Sequence, residues 1–85
     1  MKVLYFSAAW CGPCKMFKPI LQQVTSELGT FVNYIDVDQN PDMVRTYSIS
    51  SVPTLIIEDQ NGAQALRHSG TMTREQLFSA LSRFK

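Results

Sequence analysis

Short apolar runs alternate with helical patterns of hydrophobic residues along this chain. Val3 to Phe6 is apolar without a break, which is typical of a strand buried on both faces. Hydrophobic positions then recur at helical spacing and predict a helix that stops at Gly29. Pro19 lies inside this helix and predicts a kink, because its nitrogen cannot donate to the carbonyl of Lys15. The predicted apolar stripe consists of Met16, Phe17, Ile20, Leu21, Val24 and Leu28.

A second apolar run and a short helix follow. Phe31 to Val37 predicts a second strand, so the first three elements make a βαβ unit with parallel strands and a right-handed crossover. Asn40 followed by Pro41 predicts a helix cap and a first helical residue. The short helix that they begin is expected to reach about Tyr47.

The last third of the chain predicts a hairpin and a closing helix. Thr54 to Glu58 is a third apolar strand, and Gln60 to Gly62 is a turn into a fourth strand from about Ala63 to His68. Thr73 and Gln76 have capping-box spacing at the start of the final helix. Its predicted apolar face is Leu77, Phe78, Leu81 and Phe84, and its basic C-terminal residues are Arg83 and Lys85.

The predicted order β-α-β-α-β-β-α indicates an α/β fold with a four-stranded mixed sheet and helices on both faces. A length of 85 residues is that of a single domain, 1–85. A net charge of +1 with scattered Lys and Arg argues against nucleic-acid binding, and no apolar run has the length of a membrane span. The first apolar run is too short for a signal peptide, so we expect a cytoplasmic protein.

The candidate chemistry lies in the two cysteines, Cys11 and Cys14, within "SAAWCGPCKMFKP". A structural metal site needs four ligands, and this chain adds only a distant His68 to the pair. A structural disulfide across so short a loop removes little chain entropy. A working dithiol is favoured, because the N-terminus of a helix stabilises the thiolate that attacks a disulfide.

Pro13 predicts how that thiolate is tuned. If Cys11 caps the helix, its sulfur accepts from the second and third helical N–H groups. Pro13 occupies the second position and has no N–H, which leaves chiefly the N–H of Cys14. A less stabilised thiolate lowers the reduction potential of the Cys11–Cys14 pair, which makes the pair more reducing.

Several motifs together resemble the thioredoxin family over essentially the whole chain. They are "WCGPCK" at Trp10 to Lys15, "DQNP" at Asp38 to Pro41, "SVPT" at Ser51 to Thr54, "NG" at Asn61 and Gly62, and "SG" at Ser69 and Gly70. A CxxC motif alone is a moderate signal. Combined with Val-Pro-Thr at this spacing, it is highly specific.

The resemblance implies a role for each matching residue. Cys11 is the nucleophile, Cys14 is the buried resolving thiol, and Pro53 is a cis-proline that faces the disulfide. The backbone of Val52 pairs with an extended substrate segment, as in strand addition. The implied flat contact surface consists of Trp10, Gly12, Pro13, Ser51, Ser69 and Gly70.

The sequence departs from the family pattern in three ways. It begins at what is the family's second strand, so we expect a minimal form close in outline to glutaredoxins. Tyr5 stands where the family often has a buried aspartate, and Tyr34 stands where bacterial members often have a lysine. A tyrosine, with a reference pKa of about 10, is a poor base. We therefore expect slower proton transfer from Cys14, unless both rings simply fill the core.

The sequence thus predicts a thiol–disulfide oxidoreductase that reduces protein disulfides. Its expected partners are protein disulfide substrates and an electron donor of the thioredoxin-reductase type, with no nucleic acid or membrane. We expect a monomer that works in electron transport and redox homeostasis, with no cofactor beyond the Cys11–Cys14 disulfide and no metal. Two alternatives remain: a redox-independent accessory subunit that uses the same surface, and a glutaredoxin-like reductase that depends on glutathione.

Overall fold

Residues 1–84, which the computed structural model describes, form the predicted order β-α-β-α-β-β-α. The strands are β1 (Lys2–Ser7), β2 (Val32–Asp36), β3 (Thr54–Glu58) and β4 (Gln64–Ser69). The helices are α1 (Gly12–Glu27), α2 (Pro41–Thr46) and α3 (Arg74–Phe84).

The sheet is mixed and has the strand order β2-β1-β3-β4. β1 and β2 run parallel, as the βαβ prediction requires, with Tyr5 opposite Tyr34 and Ser7 opposite Asp36. β3 lies antiparallel to both β1 and β4. The central position of β1 explains its unbroken apolar run, because both of its faces are covered.

Two hydrophobic clusters cover the two faces of the sheet. Val3 and Tyr5 of β1 point towards α1 and α3, whereas Leu4 and Phe6 point towards α2, as strand alternation requires. Helices therefore lie on both faces, as predicted. The first cluster contains Val3, Tyr5, Phe17, Leu21, Val24, Leu55, Ile57, Leu77 and Leu81. The second contains Leu4, Phe6, Ile35 and Ile56, with Met43 and Tyr47 packed against it.

Two predicted core residues are exposed instead. Met16 is 76% exposed and Phe78 is 43% exposed, so their placement on the apolar faces was wrong. Each directly precedes or follows a residue that faces the sheet, Phe17 or Leu77, and neighbours on a helix differ in direction by about 100°. Phe31 is 93% exposed and lies before β2, which also ends one residue earlier than predicted.

The predicted caps had different outcomes. Thr73 and Gln76 form a reciprocal capping box: the Gln76 N–H donates to Thr73 Oγ1 over 3.1 Å, and the Thr73 N–H donates to Gln76 Oε1 over 3.0 Å. Asn40 occupies the N-cap position of α2, but its side chain makes no cap hydrogen bond. Its amide donates instead to the carbonyl of Asp36 over 2.9 Å.

The hairpin turn between β3 and β4 is held by the side chain of Asp59. Asp59 begins the hairpin turn by accepting from the N–H groups of Asn61 and Ala63, and Gly62 has a positive φ of 82°. β4 therefore starts one residue later than predicted.

Helix α1 continues through Pro19. Arg83 lies in the last turn of α3, and the prediction for Lys85 falls outside the described residues.

Candidate active site

The two cysteines lie at the N-terminus of α1, shortly after the end of β1. Cys11 is the N-cap of α1, and the N–H of Cys14 donates to Cys11 Sγ over 3.2 Å. The cap is held by a turn in which the Cys11 N–H donates to the carbonyl of Ala8. Pro13, at the second helical position, supplies no donor. The cap predicted from sequence is therefore present, with Cys14 as the donor.

Cys11 and Cys14 form a disulfide with a Cα–Cα distance of 5.3 Å. Both are buried in a small cluster with Ala8, against which Val52 packs. The first turn of α1 contains no acidic residue, so its free N–H groups and the positive end of its dipole face the sulfurs unopposed. This environment favours the thiolate once the disulfide is reduced.

The loop before β3 completes one side of the site. The Val52–Pro53 peptide bond is cis, and Pro53 is buried. The N–H of Gly70 donates to the carbonyl of Pro53 over 2.8 Å, which ties the end of β4 to this loop. Ser51 is held by Thr54, whose hydroxyl donates to its carbonyl over 2.7 Å. The structure thus brings Val52 to the cysteine pair and Gly70 to Pro53.

Trp10 stands at the edge of this surface. Its side chain is 69% exposed, and its indole N–H donates to Asp38 Oδ2 over 2.9 Å. A shallow hollow of about 170 Å³ separates Trp10 from Ser51 and Val52. Sequence reasoning missed the link to Asp38, because the two residues are 28 positions apart and no spacing pattern connects them. Of the predicted contact residues, those exposed to solvent are Trp10, Gly12, Pro13, Ser51 and Ser69.

Tyr5 lies directly beneath Cys14. It is fully buried, and its hydroxyl donates to the Cys14 carbonyl over 2.9 Å. Its ring packs edge-on against Phe17 and Tyr34, with centroids 5.8 and 6.0 Å away. Burial, with a smaller contribution from Tyr34, raises the pKa of Tyr5 to about 12. Tyr5 therefore fills the core and holds the first turn of α1, and it keeps its proton.

Tyr34 is the outer member of the pair. Its side chain is 43% exposed, and Lys18 Nζ lies 5.1 Å from the centroid of its ring. Burial raises the pKa of Tyr34 above its ordinary value. Neither tyrosine is suited to accept a proton near neutral pH.

A cleft on the α1 side of the sheet reaches Cys14 from behind. It has a volume of about 340 Å³, and its lining includes the charged residues Lys15, Lys18 and Asp36. The Oδ1 of Asp36 accepts from the Asp38 N–H over 2.8 Å at the end of β2. Only the register of β1 and β2 reveals that Asp36 also faces the cleft.

Two further observations concern metals and membranes. Within residues 1–84, no three or more His, Cys, Asp or Glu side chains are grouped so that they could hold a metal ion. None of the helices in this described part is long and apolar enough to cross a membrane.

The chemistry of the cysteine pair defines a class of protein. A disulfide between residues only three apart adds little to the stability of a fold. The same pair at a helix N-terminus is suited to thiol–disulfide exchange, in which one thiolate attacks and the other resolves. The fold and the site are those of a thiol–disulfide oxidoreductase.

Comparison with known proteins identifies the family. A family model described as Thioredoxin matches residues 1–83, and the chain belongs to the thioredoxin family. It is 37% identical over 79 residues to a thioredoxin of Chlamydia trachomatis, which covers 92% of this chain and 76% of that protein. It is 39% identical to a thioredoxin of Mycobacterium bovis, with 91% of this chain and 67% of that protein covered.

One relative joins two activities in one polypeptide, and a solved structure supports the fold. The relative is a bifunctional thioredoxin reductase/thioredoxin of Mycobacterium leprae, 40% identical over 91% of this chain and 17% of that protein. The structure of thioredoxin 1 from Thermosipho africanus superimposes with a TM-score of 0.88 at 26% identity, covering 99% of this chain and 93% of that one. Family and disulfide together favour the oxidoreductase over the accessory-subunit and glutathione-dependent alternatives.

Proposed function

We propose that the chain reduces disulfide bonds in other proteins, with Cys11 as the nucleophile and Cys14 as the resolving thiol. The observation that carries this proposal is the cap of α1, where the Cys14 N–H donates to Cys11 Sγ over 3.2 Å. That donor and the helix dipole stabilise negative charge on Cys11. Cys14, one helical turn further on, is near enough to attack the same sulfur.

The reaction consists of two thiol–disulfide exchanges. In the first, the Cys11 thiolate attacks one sulfur of the substrate disulfide, a mixed disulfide forms, and the other substrate sulfur leaves as a thiolate. In the second, the Cys14 thiolate attacks Cys11 Sγ, and the first substrate sulfur leaves with its electron pair. The substrate gains two electrons, and the chain ends with the Cys11–Cys14 disulfide.

The surface around the cysteines is the proposed docking face for the substrate. Its exposed members are polar or small apart from Trp10, so an extended polypeptide can lie flat across them. Val52 packs against the cysteine cluster but lies outside every strand, which supports backbone pairing with a substrate segment. The proposed contact residues are Trp10, Gly12, Pro13, Ser51, Val52, Pro53, Ser69 and Gly70.

We propose a reductase of the thioredoxin-reductase type as the electron donor. The printed name of the Mycobacterium leprae relative, which combines a thioredoxin reductase with a thioredoxin, supports this pairing. The chain would then act in electron transport as a cytoplasmic monomer of one domain. It needs no cofactor beyond its own cysteine pair.

A stoichiometric reaction with insulin as a model substrate tests the function. Each reduced chain should convert one insulin disulfide to two thiols and end as the intramolecular disulfide, measured by mass after alkylation. The Cys11→Ser/Cys14→Ser double variant should reduce none. Full reduction by the double variant would refute the redox proposal. In a host where the wild-type gene is essential, survival with the double variant would favour the accessory subunit.

A further inference from the structure

The cleft behind Cys14 is built from one face of two strands and one helix. Val32, Tyr34 and Asp36 alternate along β2, so they share the face that α1 covers. On β1 the same face carries Tyr5 and, two residues on, Ser7. Ser7 pairs with Asp36 in the parallel register, one step beyond the tyrosine pair.

One of the residues that line the cleft is suited to accept a proton from Cys14. Cys14 lines it together with Ser7, Tyr34 and Asp36 from the sheet and with Lys15 and Lys18 from α1. An ammonium group has no acceptor site. The hydroxyl of Tyr5, which faces Cys14 from β1, already donates to the Cys14 carbonyl. Among the described residues that line the cleft, Asp36 alone carries a carboxylate.

Asp36 has acceptor capacity to spare. Its Oδ1 accepts from the Asp38 N–H over 2.8 Å, and a carboxylate offers about four acceptor sites on its two oxygens. The cleft is large enough for several water molecules, and its lining includes polar side chains, among them Ser7 and Asp36, that can hold them. Cys14 and Asp36 line the same cleft, so water held there would connect the two residues.

We propose that Asp36, at the end of β2, accepts the proton of the Cys14 thiol through water in this cleft when the mixed disulfide is resolved. The inference rests on the proposed function and assigns Asp36 a role in its second exchange. The Cys14 S–H bond breaks, and the proton passes along the water to the Asp36 carboxylate. The Cys14 thiolate then forms the bond to Cys11 Sγ, and the Cys11–substrate bond breaks. The substrate sulfur leaves with the electron pair and takes up a proton from solvent.

The reaction of the reduced protein with an aromatic disulfide such as 5,5′-dithiobis(2-nitrobenzoate) separates the two exchanges. The first coloured thiolate reports the bimolecular attack by Cys11, and the second reports the first-order resolution by Cys14. The test compares Asp36→Asn with Asp42→Asn over a range of pH. Asparagine keeps the oxygen that accepts from the Asp38 N–H. Asp42 is an exposed carboxylate of α2, paired with Arg45, and is the control for loss of one charge.

We expect Asp36→Asn to slow the resolution by about tenfold near neutral pH. A general base in direct contact contributes roughly 10²–10⁴-fold, and solvent water replaces part of a relayed contribution. The wild-type resolution constant should change little with pH over the neutral range. In Asp36→Asn it should instead rise in proportion to hydroxide throughout that range. Excess acetate should accelerate the resolution by Asp36→Asn but leave the wild-type constant unchanged.

The outcomes separate this proposal from the function beneath it. Loss of the first coloured thiolate in the wild type would refute the proposed function. A normal first phase with a resolution constant in Asp36→Asn within about twofold of wild type would refute only the role of Asp36. An equal slowing in Asp42→Asn, or no response to acetate, would also overturn it, because charge or structure would then explain the loss.

Discussion

Removing the buried hydroxyl of Tyr5 tests how the site is held. In Tyr5→Phe the ring keeps its contacts with Phe17 and Tyr34, so only the bond of 2.9 Å to the Cys14 carbonyl is lost. One net intramolecular hydrogen bond contributes about 0.5–1.5 kcal/mol to stability. For a domain of this size, 1 kcal/mol corresponds to a fall in Tm of roughly 4–8 °C.

The assay is thermal unfolding of the oxidised protein followed by circular dichroism, with Tyr34→Phe as the matched control. Tyr34 is 43% exposed, so its variant should stay within about 0.5 kcal/mol of wild type. An unchanged Tm in Tyr5→Phe would show that the hydroxyl adds nothing to the first turn of α1. A loss above about 3 kcal/mol would exceed what one neutral hydrogen bond can supply.

The same variant separates structure from proton transfer. Because burial keeps Tyr5 protonated, Tyr5→Phe should change the first-order resolution by Cys14 by less than about twofold. A slowing of about tenfold or more would mean that the hydroxyl takes part in the chemistry. That result would also remove the reason for assigning the proton to Asp36.

Three further predictions concern the pH dependence of stability, the reduction potential of the Cys11–Cys14 pair and the N-terminal cap of α3. The pKa of Tyr5 is raised to about 12, so its contribution to stability is full below pH 10, the ordinary value, and declines as pH rises towards 12. Chemical denaturation should therefore show a smaller gap between wild type and Tyr5→Phe at pH 11 than at pH 9, and a gap that widens would contradict this. Pro13→His restores an N–H near Cys11 Sγ and should raise the reduction potential by on the order of 30 mV, the equivalent of about 1.4 kcal/mol; equilibration with glutathione measures it, and an unchanged or lower value contradicts it. Thr73→Ala breaks the capping box and should cost about 1 kcal/mol in urea unfolding, whereas an exposed Ser79→Ala control on α3 should change stability by less than about 0.5 kcal/mol; equal effects would contradict the cap.

Local patterns predicted most of the fold. The apolar run of β1, the capping box of α3 and the cap at Cys11 depend on residues close in sequence, and each is present in the structure. The errors concern adjacent hydrophobic residues of which only one is buried, such as the exposed Met16 beside the buried Phe17. Asn40 failed as a cap because its amide found the Asp36 carbonyl instead, a choice that local sequence does not reveal.

Local sequence patterns predicted only part of the candidate site. The proposed roles of Cys11, Cys14 and Pro53 rest on motifs, whereas the contacts around Cys14 depend on strand register. Tyr5 reaches the Cys14 carbonyl because β1 passes under α1, and Asp36 enters the cleft because it pairs with Ser7. A buried hydroxyl and a distant carboxylate give no spacing signal, so only the assembled sheet reveals them.

The central claim, attack by Cys11 and resolution by Cys14, is tested most directly by trapping. The Cys14→Ser variant is mixed with oxidised insulin, and the products are analysed by intact mass and peptide mapping without reductant. We predict a stable one-to-one adduct joined through Cys11, and no such adduct with Cys11→Ser. An adduct that forms equally well through Cys14, or no adduct with Cys14→Ser, would contradict the account.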